Sequence, residues 1–263
     1  MKEPVYFIKL TNHYCNFTFK LNDIVLYVES ENGSGAKLFP INQYLNENAN
    51  VIQIHIKPMN GQTQLHERTL IELRLEVASA QNIQTKQVIF ESESPDYSNY
   101  SFEEKPLPDS YLWTNPLKVK SPFSTYNLYN LTSLKMDNSL FNKLLDAYNE
   151  TYSLFKSGNI SALTKLFENR RHDIALSRYQ TIETTLSETI KDLEHTFSGG
   201  NELLEFQIKD FTLRSEYGNK LFSLIDKYGD PVVIYYNESI NITTKYPLRF
   251  GMLKGSSKFT IIR

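Results

Sequence analysis

The chain has 263 residues, 40% of them hydrophobic and 22% charged, with a formal net charge of -2. That balance excludes a disordered chain and argues against a dedicated nucleic-acid binder, which carries a basic excess. The single cysteine, Cys15, excludes an intramolecular disulfide and a multi-cysteine zinc site.

The first ten residues, Met1 to Leu10, hold no apolar signal core, so a cytoplasmic location is expected. No apolar run approaches the ~18 residues of a spanning helix, and no membrane association is expected. Residues 1–110 read as strands. Cys15, Phe17, Phe19 and Leu21 alternate with Asn16, Thr18 and Lys20. Ile52, Ile54 and Ile56 alternate with Gln53, His55 and Lys57, and Ile71, Leu73, Leu75 and Val77 with Glu72, Arg74 and Glu76. Period 2 with one polar face marks half-buried antiparallel strands. Val5–Leu10, Ile24–Glu29 and Thr85–Glu91 are further candidates. Turn signals separate them at Asn22-Asp23, at Asn32-Gly33-Ser34-Gly35 and at Asn60-Gly61. The expected domain is a β-sandwich over residues 1–110, its strand order open.

Residues 92–135 fit neither period. Pro106, Pro108, Pro116 and Pro122 argue against a central strand. Acids cluster at the start: Glu91, Glu93, Asp96, Glu103, Glu104 and Asp109, against the one base Lys105. Tyr97, Tyr100, Phe102, Tyr111 and Trp113 interleave with them. A disordered linker is poor in aromatics. We therefore expect an acidic loop leading into an ordered strap over residues 111–136. Aromatics serve as interface anchors and acids steer a basic partner, so this stretch is the first candidate contact.

From Asp137 the period becomes helical. Phe141, Leu144, Leu145, Tyr148, Tyr152 and Phe155 recur at three and four residues, and Gly158 ends the helix. Asn159 caps a short second helix with Ile160, Leu163, Leu166 and Phe167. Ala175, Tyr179, Ile182, Leu186 and Leu193 form the stripe of a third, ended by Gly199-Gly200. Strands return at Leu204, Phe206 and Ile208, then Phe211 and Leu213 on the opposite phase, which predicts a β-bulge near Lys209-Asp210. Pro231–Tyr236, Leu248–Lys254 and Lys258–Arg263 complete an antiparallel sheet. Helices followed by such a sheet make residues 137–263 a second, α+β domain.

That order, with Gly158, Leu163, Phe167, Arg170-Arg171 and a last strand ending Phe259-Thr260-Ile261-Ile262-Arg263, resembles the cone-shaped nuclear-transport-factor-2-like fold. A β-sandwich before such a cone resembles bacterial immunity proteins, which neutralise secreted antibacterial toxins. The resemblance implies a non-enzymatic protein whose partner is a cognate toxin, blocked by occlusion of its active site. The contact residues would be Glu93, Asp96, Tyr97, Tyr100, Phe102, Glu103, Glu104 and Trp113, with Arg170 and Arg171 as a second patch.

The residues show no competing chemistry of high specificity. No two of His13, His55, His66, His172 and His195 stand four apart, so no metal site is readable and no cofactor is expected. Cys15 lies on an apolar strand face, where a thiol is inert. Gly33-Ser34-Gly35 lacks the Lys and the following helix of a phosphate loop. Two alternatives stay open. Tyr179, Glu183, Asp210, Tyr235 and Arg249 could converge in a cone cavity as the acid–base groups of an isomerase or dehydratase. Solvent-facing aromatics on the sandwich would instead suit a carbohydrate or other small ligand.

Overall fold

The computed structural model describes residues 2–100, 105–123 and 126–263, with Ile208 as backbone only. The fold is mixed α+β, with four helices and four antiparallel sheets among the described residues, strands first and helices in the middle. Its contacts divide into two units: Met1–Ser124 with Ser177–Tyr179, and Thr125–Leu176 with Gln180–Arg263.

The first unit holds eight strands: β1 Pro4–His13, β2 Asn16–Leu21, β3 Ile24–Glu29, β4 Gly35–Pro40, β5 Asn50–Lys57, β6 Leu70–Ser79, β7 Asn82–Glu93 and β8 Tyr111–Leu117. They form two sheets, in the orders β4-β1-β6-β7 and β3-β2-β5-β8. Alternate residues of both sheets meet in one core. Ile8, Leu10, Ile71, Leu73 and Leu75 come from one sheet, and Phe17, Phe19, Ile52, Ile54 and Ile56 from the other. The alternation in the sequence thus becomes the inner face of a sandwich.

Asparagine side chains cross-link the loops at the two ends of β2. At its start, Asn16 Nδ2 donates to Oδ1 of Asn32 and of Asn60, both at 3.1 Å. At its end, Asn22 and Asp23 take φ values of +53° and +65°, the tight turn that sets Leu21 against Ile24. Asn22 Nδ2 there donates to Tyr44 O at 2.8 Å and Asn50 Oδ1 at 2.6 Å.

The strap expected over residues 111–136 is strand at its start. β8 pairs with β5 from Ile56 opposite Tyr111 to Asn50 opposite Leu117. It lies at a sheet edge, where Pro116 removes no ladder hydrogen bond that a neighbour needs. The prolines excluded a central strand but not an edge one.

In the second unit, α1 spans Asn138–Lys156. Asp137 caps it by accepting from Leu140 N at 2.8 Å, and Leu140, Leu144, Tyr148 and Phe155 form its buried stripe. Gly158, at φ +61°, turns the chain out of the helix. Asn159 caps α2 (Ile160–Leu166) through Ala162 N. The single third helix expected from the apolar stripe is two, α3 (Glu168–Arg178) and α4 (Ile182–Phe197). Tyr179 breaks them with φ +55°, and the Thr181 hydroxyl starts the second by accepting from Thr184 N.

The remaining strands are β9 Glu202–Leu203, β10 Phe211–Glu216, β11 Leu221–Asp226, β12 Val233–Asn237, β13 Ile242–Tyr246, β14 Phe250–Gly251 and β15 Thr260–Ile261. They form two sheets, β10-β11-β14-β15 and β13-β12-β9. The expected bulge at Lys209-Asp210 is a 3-10 turn, Ile208–Asp210, which re-aims the chain into β10. Leu144, Tyr148 and Phe155 of α1 pack with Phe222, Leu224, Val233, Tyr235 and Phe250. Among the described residues no helix is long and apolar enough to cross a membrane.

The Tyr148 hydroxyl is the polar centre of that core. It donates to Leu248 O at 2.8 Å and accepts from Leu224 N at 3.1 Å. Burial pushes its pKa well above the ordinary phenol value. Tyr148→Phe keeps the ring but strands a buried carbonyl and a buried N–H. We expect a loss of about 1–3 kcal/mol in urea unfolding with an unchanged slope. An unchanged midpoint would show that these two backbone groups find other partners.

Candidate functional site

The aromatics and the acids of the acidic loop go to different places. Tyr97 is 1% exposed and Trp113 is 7% exposed, both within the sandwich core. Tyr100 is half-buried, edge-on to Tyr97 at 5.2 Å, with Lys105 Nζ 5.9 Å from its ring centre. These rings close the sandwich, so the anchoring surface expected of Tyr97 and Trp113 is not presented to solvent. Phe102, Glu103 and Glu104 lie outside the described residues. Asp96 is turned to local work. Its carboxylate accepts from Ser98 N and Oγ, both at 2.9 Å, which holds its pKa below the usual carboxylate value.

Glu93 ends β7 on the outer face of its sheet. It stands directly opposite Glu72 of β6, one step from Arg74 opposite Glu91. Arg74 Nε reaches Glu91 Oε1 at 2.9 Å, both groups being exposed. Glu72, Arg74, Glu91 and Glu93 line a shallow hollow of about 300 Å³ together with Leu73 and Ser92. Three acids face one base there. Like charges directly across a ladder repel, so Glu72 and Glu93 are a repelling pair, with Arg74 one same-face step away and paired to Glu91. Sequence reading found Glu91 and Glu93. It missed Glu72, although the strict alternation of β6 put Glu72 on the polar face and the hairpin partner of β7 had to be β6.

Ile83 and Val88 of the same strand are exposed at 47% and 42%. β7 is exposed along nearly its whole length. Val88 pairs with Glu76 and so shares the outer face with Glu91 and Glu93, which brings acid and apolar surface within a few residues there.

In the second unit Arg170 and Arg171, expected as a second patch, lie inside α3. Arg170 stacks over the Phe167 ring at 5.6 Å. Arg171 is 8% exposed, and its Nε and Nη1 have no hydrogen-bond partner among the described residues. Burial holds its pKa below the ordinary guanidinium value. Neither side chain is an open clamp. Two buried ionic groups lie elsewhere in the unit. Asp173 accepts from Arg263 Nη1 at 2.6 Å and from Asn127 N at 2.9 Å. Glu216 takes Arg249 Nε at 2.7 Å and Arg214 Nε at 3.1 Å.

The residues considered for a cone cavity do not assemble. Tyr235 donates its hydroxyl to Phe155 O at 2.9 Å inside the core, and Arg249 is held by Glu216. Asp210 and Glu183 are exposed, and Tyr179 groups with the first unit. Among the described residues no three His, Cys, Asp or Glu side chains cluster as metal ligands.

No family model, curated protein or solved structure matches the chain. Its chemistry therefore rests on its own residues.

Two side chains give direct checks on this placement. Burial raises the Cys15 thiol to about 12, so it stays protonated and unreactive at neutral pH. Labelling by a thiol reagent should be slow in the native protein and fast in denaturant. Trp113→Ala should cost about 3–5 kcal/mol of stability, as removal of a core indole does. A well-folded Trp113→Ala protein with native unfolding midpoint would return that ring to the surface.

Proposed function

We propose that the chain is a non-enzymatic protein-binding module. Following the resemblance of its layout, it is an immunity protein that occludes the active cleft of a cognate bacterial toxin in the cytoplasm. In this reading the second unit is the nuclear-transport-factor-2-like part, and no metal or cofactor takes part. The contact is the outer face of β6 and β7, not the rings of the acidic loop. One observation carries the reading: Glu72 and Glu93 face each other across the ladder without a base between them. Such a pair costs stability on its own and is relieved by a cation from outside. A toxin acting on nucleic acid or another anionic substrate has a basic cleft, which an acidic strip with Val88 beside it complements.

The test uses Glu93→Lys, which turns the repelling pair into an attracting one. Stability should rise by a few tenths to about 1 kcal/mol. Association with the toxin encoded beside this chain should slow by about tenfold at low salt, and less at ~0.15 M, where charges are screened beyond about 8 Å. Protection of cells expressing that toxin should fall with it. A variant that gains stability yet associates and protects like wild type would remove this face from the contact.

A further inference from the structure

The two sheets of the sandwich do not close on each other along the side formed by β7 and β8. Between these edge strands lies a slot of about 350 Å³, lined by Leu75, Ile89 and Phe90 on one side and Asn115, Pro116 and Leu117 on the other, with Lys118 and Val119 completing it. That volume is at the small end of the usual range for ligand pockets. Leu75 and Leu117 belong to the sandwich core, so the slot reaches between the layers. Phe90 pairs with Leu75, and Asn115 with Ile52, so both are on the inner faces. Phe90 nevertheless stays 38% exposed, and Ile89 43%.

Two polar groups break the apolar lining. Asn115 Nδ2 is buried and has no hydrogen-bond partner among the described residues. Leaving an amide donor in that state costs about 1–3 kcal/mol. Lys118 is exposed and makes no ion pair among the described residues. A buried donor and an exposed lysine in the same lining select an occupant that brings oxygen acceptors and negative charge. The apolar remainder of the wall, Leu75, Ile89, Phe90, Pro116, Leu117 and Val119, selects a hydrocarbon chain.

We propose that this slot binds a free fatty carboxylate, an amphipathic monoanion with a single aliphatic chain. The chain lies against Leu75, Ile89, Phe90 and Leu117. The carboxylate takes the amide of Asn115 and the ammonium of Lys118. This site is separate from the acidic outer face and does not rest on the toxin reading. From Phe90 to Glu93 successive residues of β7 point to opposite faces, so Phe90 serves the slot while Glu91 serves the outside.

Trp113 is the chain's one tryptophan and sits two residues from Asn115 on the same inner face of β8. It reports on the slot without a label. Titrating the wild-type protein with dodecanoate should give a saturable change in Trp113 emission, and calorimetry on the same titration should give the same stoichiometry of one. Lys118→Glu alters an exposed residue and should keep the native unfolding midpoint while weakening dodecanoate at least tenfold. Asn115→Leu should weaken it as well, with its fold checked by the same midpoint. Dodecyltrimethylammonium, which has the chain but the opposite charge, should bind at least tenfold more weakly than dodecanoate. No saturable binding by either method overturns the proposal. So does equal affinity for the cationic amphiphile, or an unaltered affinity in Lys118→Glu.

Discussion

Between Leu75 and Glu76, and again between Val77 and Ser79, the β6–β7 ladder loses register. At the first break Leu75 faces Phe90 and Glu76 faces Val88, which leaves Ile89 as an extra residue. At the second, Val77 faces Gln87 and Ser79 faces Asn82, so Ala78 stands against the whole of Ile83, Gln84, Thr85 and Lys86. Bulges of this kind bend and twist an edge strand. They also spoil the regular row of N–H and C=O groups that an added strand would read. β7 can therefore be long, exposed and partly apolar without being an open template for strand pairing. What it presents is side chains. Both surfaces assigned a role above depend on that: the acidic outer face, and the slot that opens because β7 and β8 do not meet.

The second unit spends its charges differently. Asp173, wholly buried, joins α3 to Arg263 at the end of the last strand segment. Glu216 gathers Arg214 of its own strand β10 and Arg249, the residue before β14. A buried ion pair of this kind adds little net stability over a well-packed apolar pair, but removing one partner is costly. Short strands need such ties: β14 and β15 are two residues each, with few ladder hydrogen bonds to fix them. Residue types that suggest acid–base chemistry in a list are here structural. Tyr148 and Tyr235 each hold a buried backbone carbonyl in the same way.

The strands β1, β2, β5 and β6 were legible because each has one buried face, whereas β4, with no buried residue, was not anticipated. Alternation of Ile71, Leu73 and Leu75 against Glu72 and Arg74 marks strand, face and polar side at once. The caps Asp137 and Asn159 and the stop at Gly158 were legible because local hydrogen bonding and φ decide them. β11 was not, since Leu221, Phe222, Ser223 and Leu224 are buried on both faces and show no period. β13 failed for the opposite reason: it is exposed on both faces. The break at Tyr179 carries no glycine or proline, and its one signal was Thr181 as a cap. Trp113 was misplaced because the prolines outweighed a real alternation of Tyr111, Trp113, Asn115 and Leu117, the inner face of β8. No pattern in the sequence measures the gap between two sheets, so the slot could not be read there.

One strand segment feeds two chemistries through parity alone. Phe90 and Ser92 pair with Leu75 and Leu73 on the inner side; Glu91 and Glu93 pair with Arg74 and Glu72 on the outer side. A side chain on one face cannot reach the other without a register slip, and a slip would move Phe90 outward and Glu91 into the apolar gap. The slip is opposed by the burial of Leu73 and Leu75 and by the cost of desolvating Glu91. The same opposition keeps the like-charged pair Glu72 and Glu93 together, since neither can leave the outer face. The repulsion at the surface is thus held in place by the hydrophobic pattern beneath it. In the proposed contact this matters for association: Glu72 and Glu93 are set opposite each other on folding, so the entropy of gathering the two carboxylates is met before a cationic partner arrives.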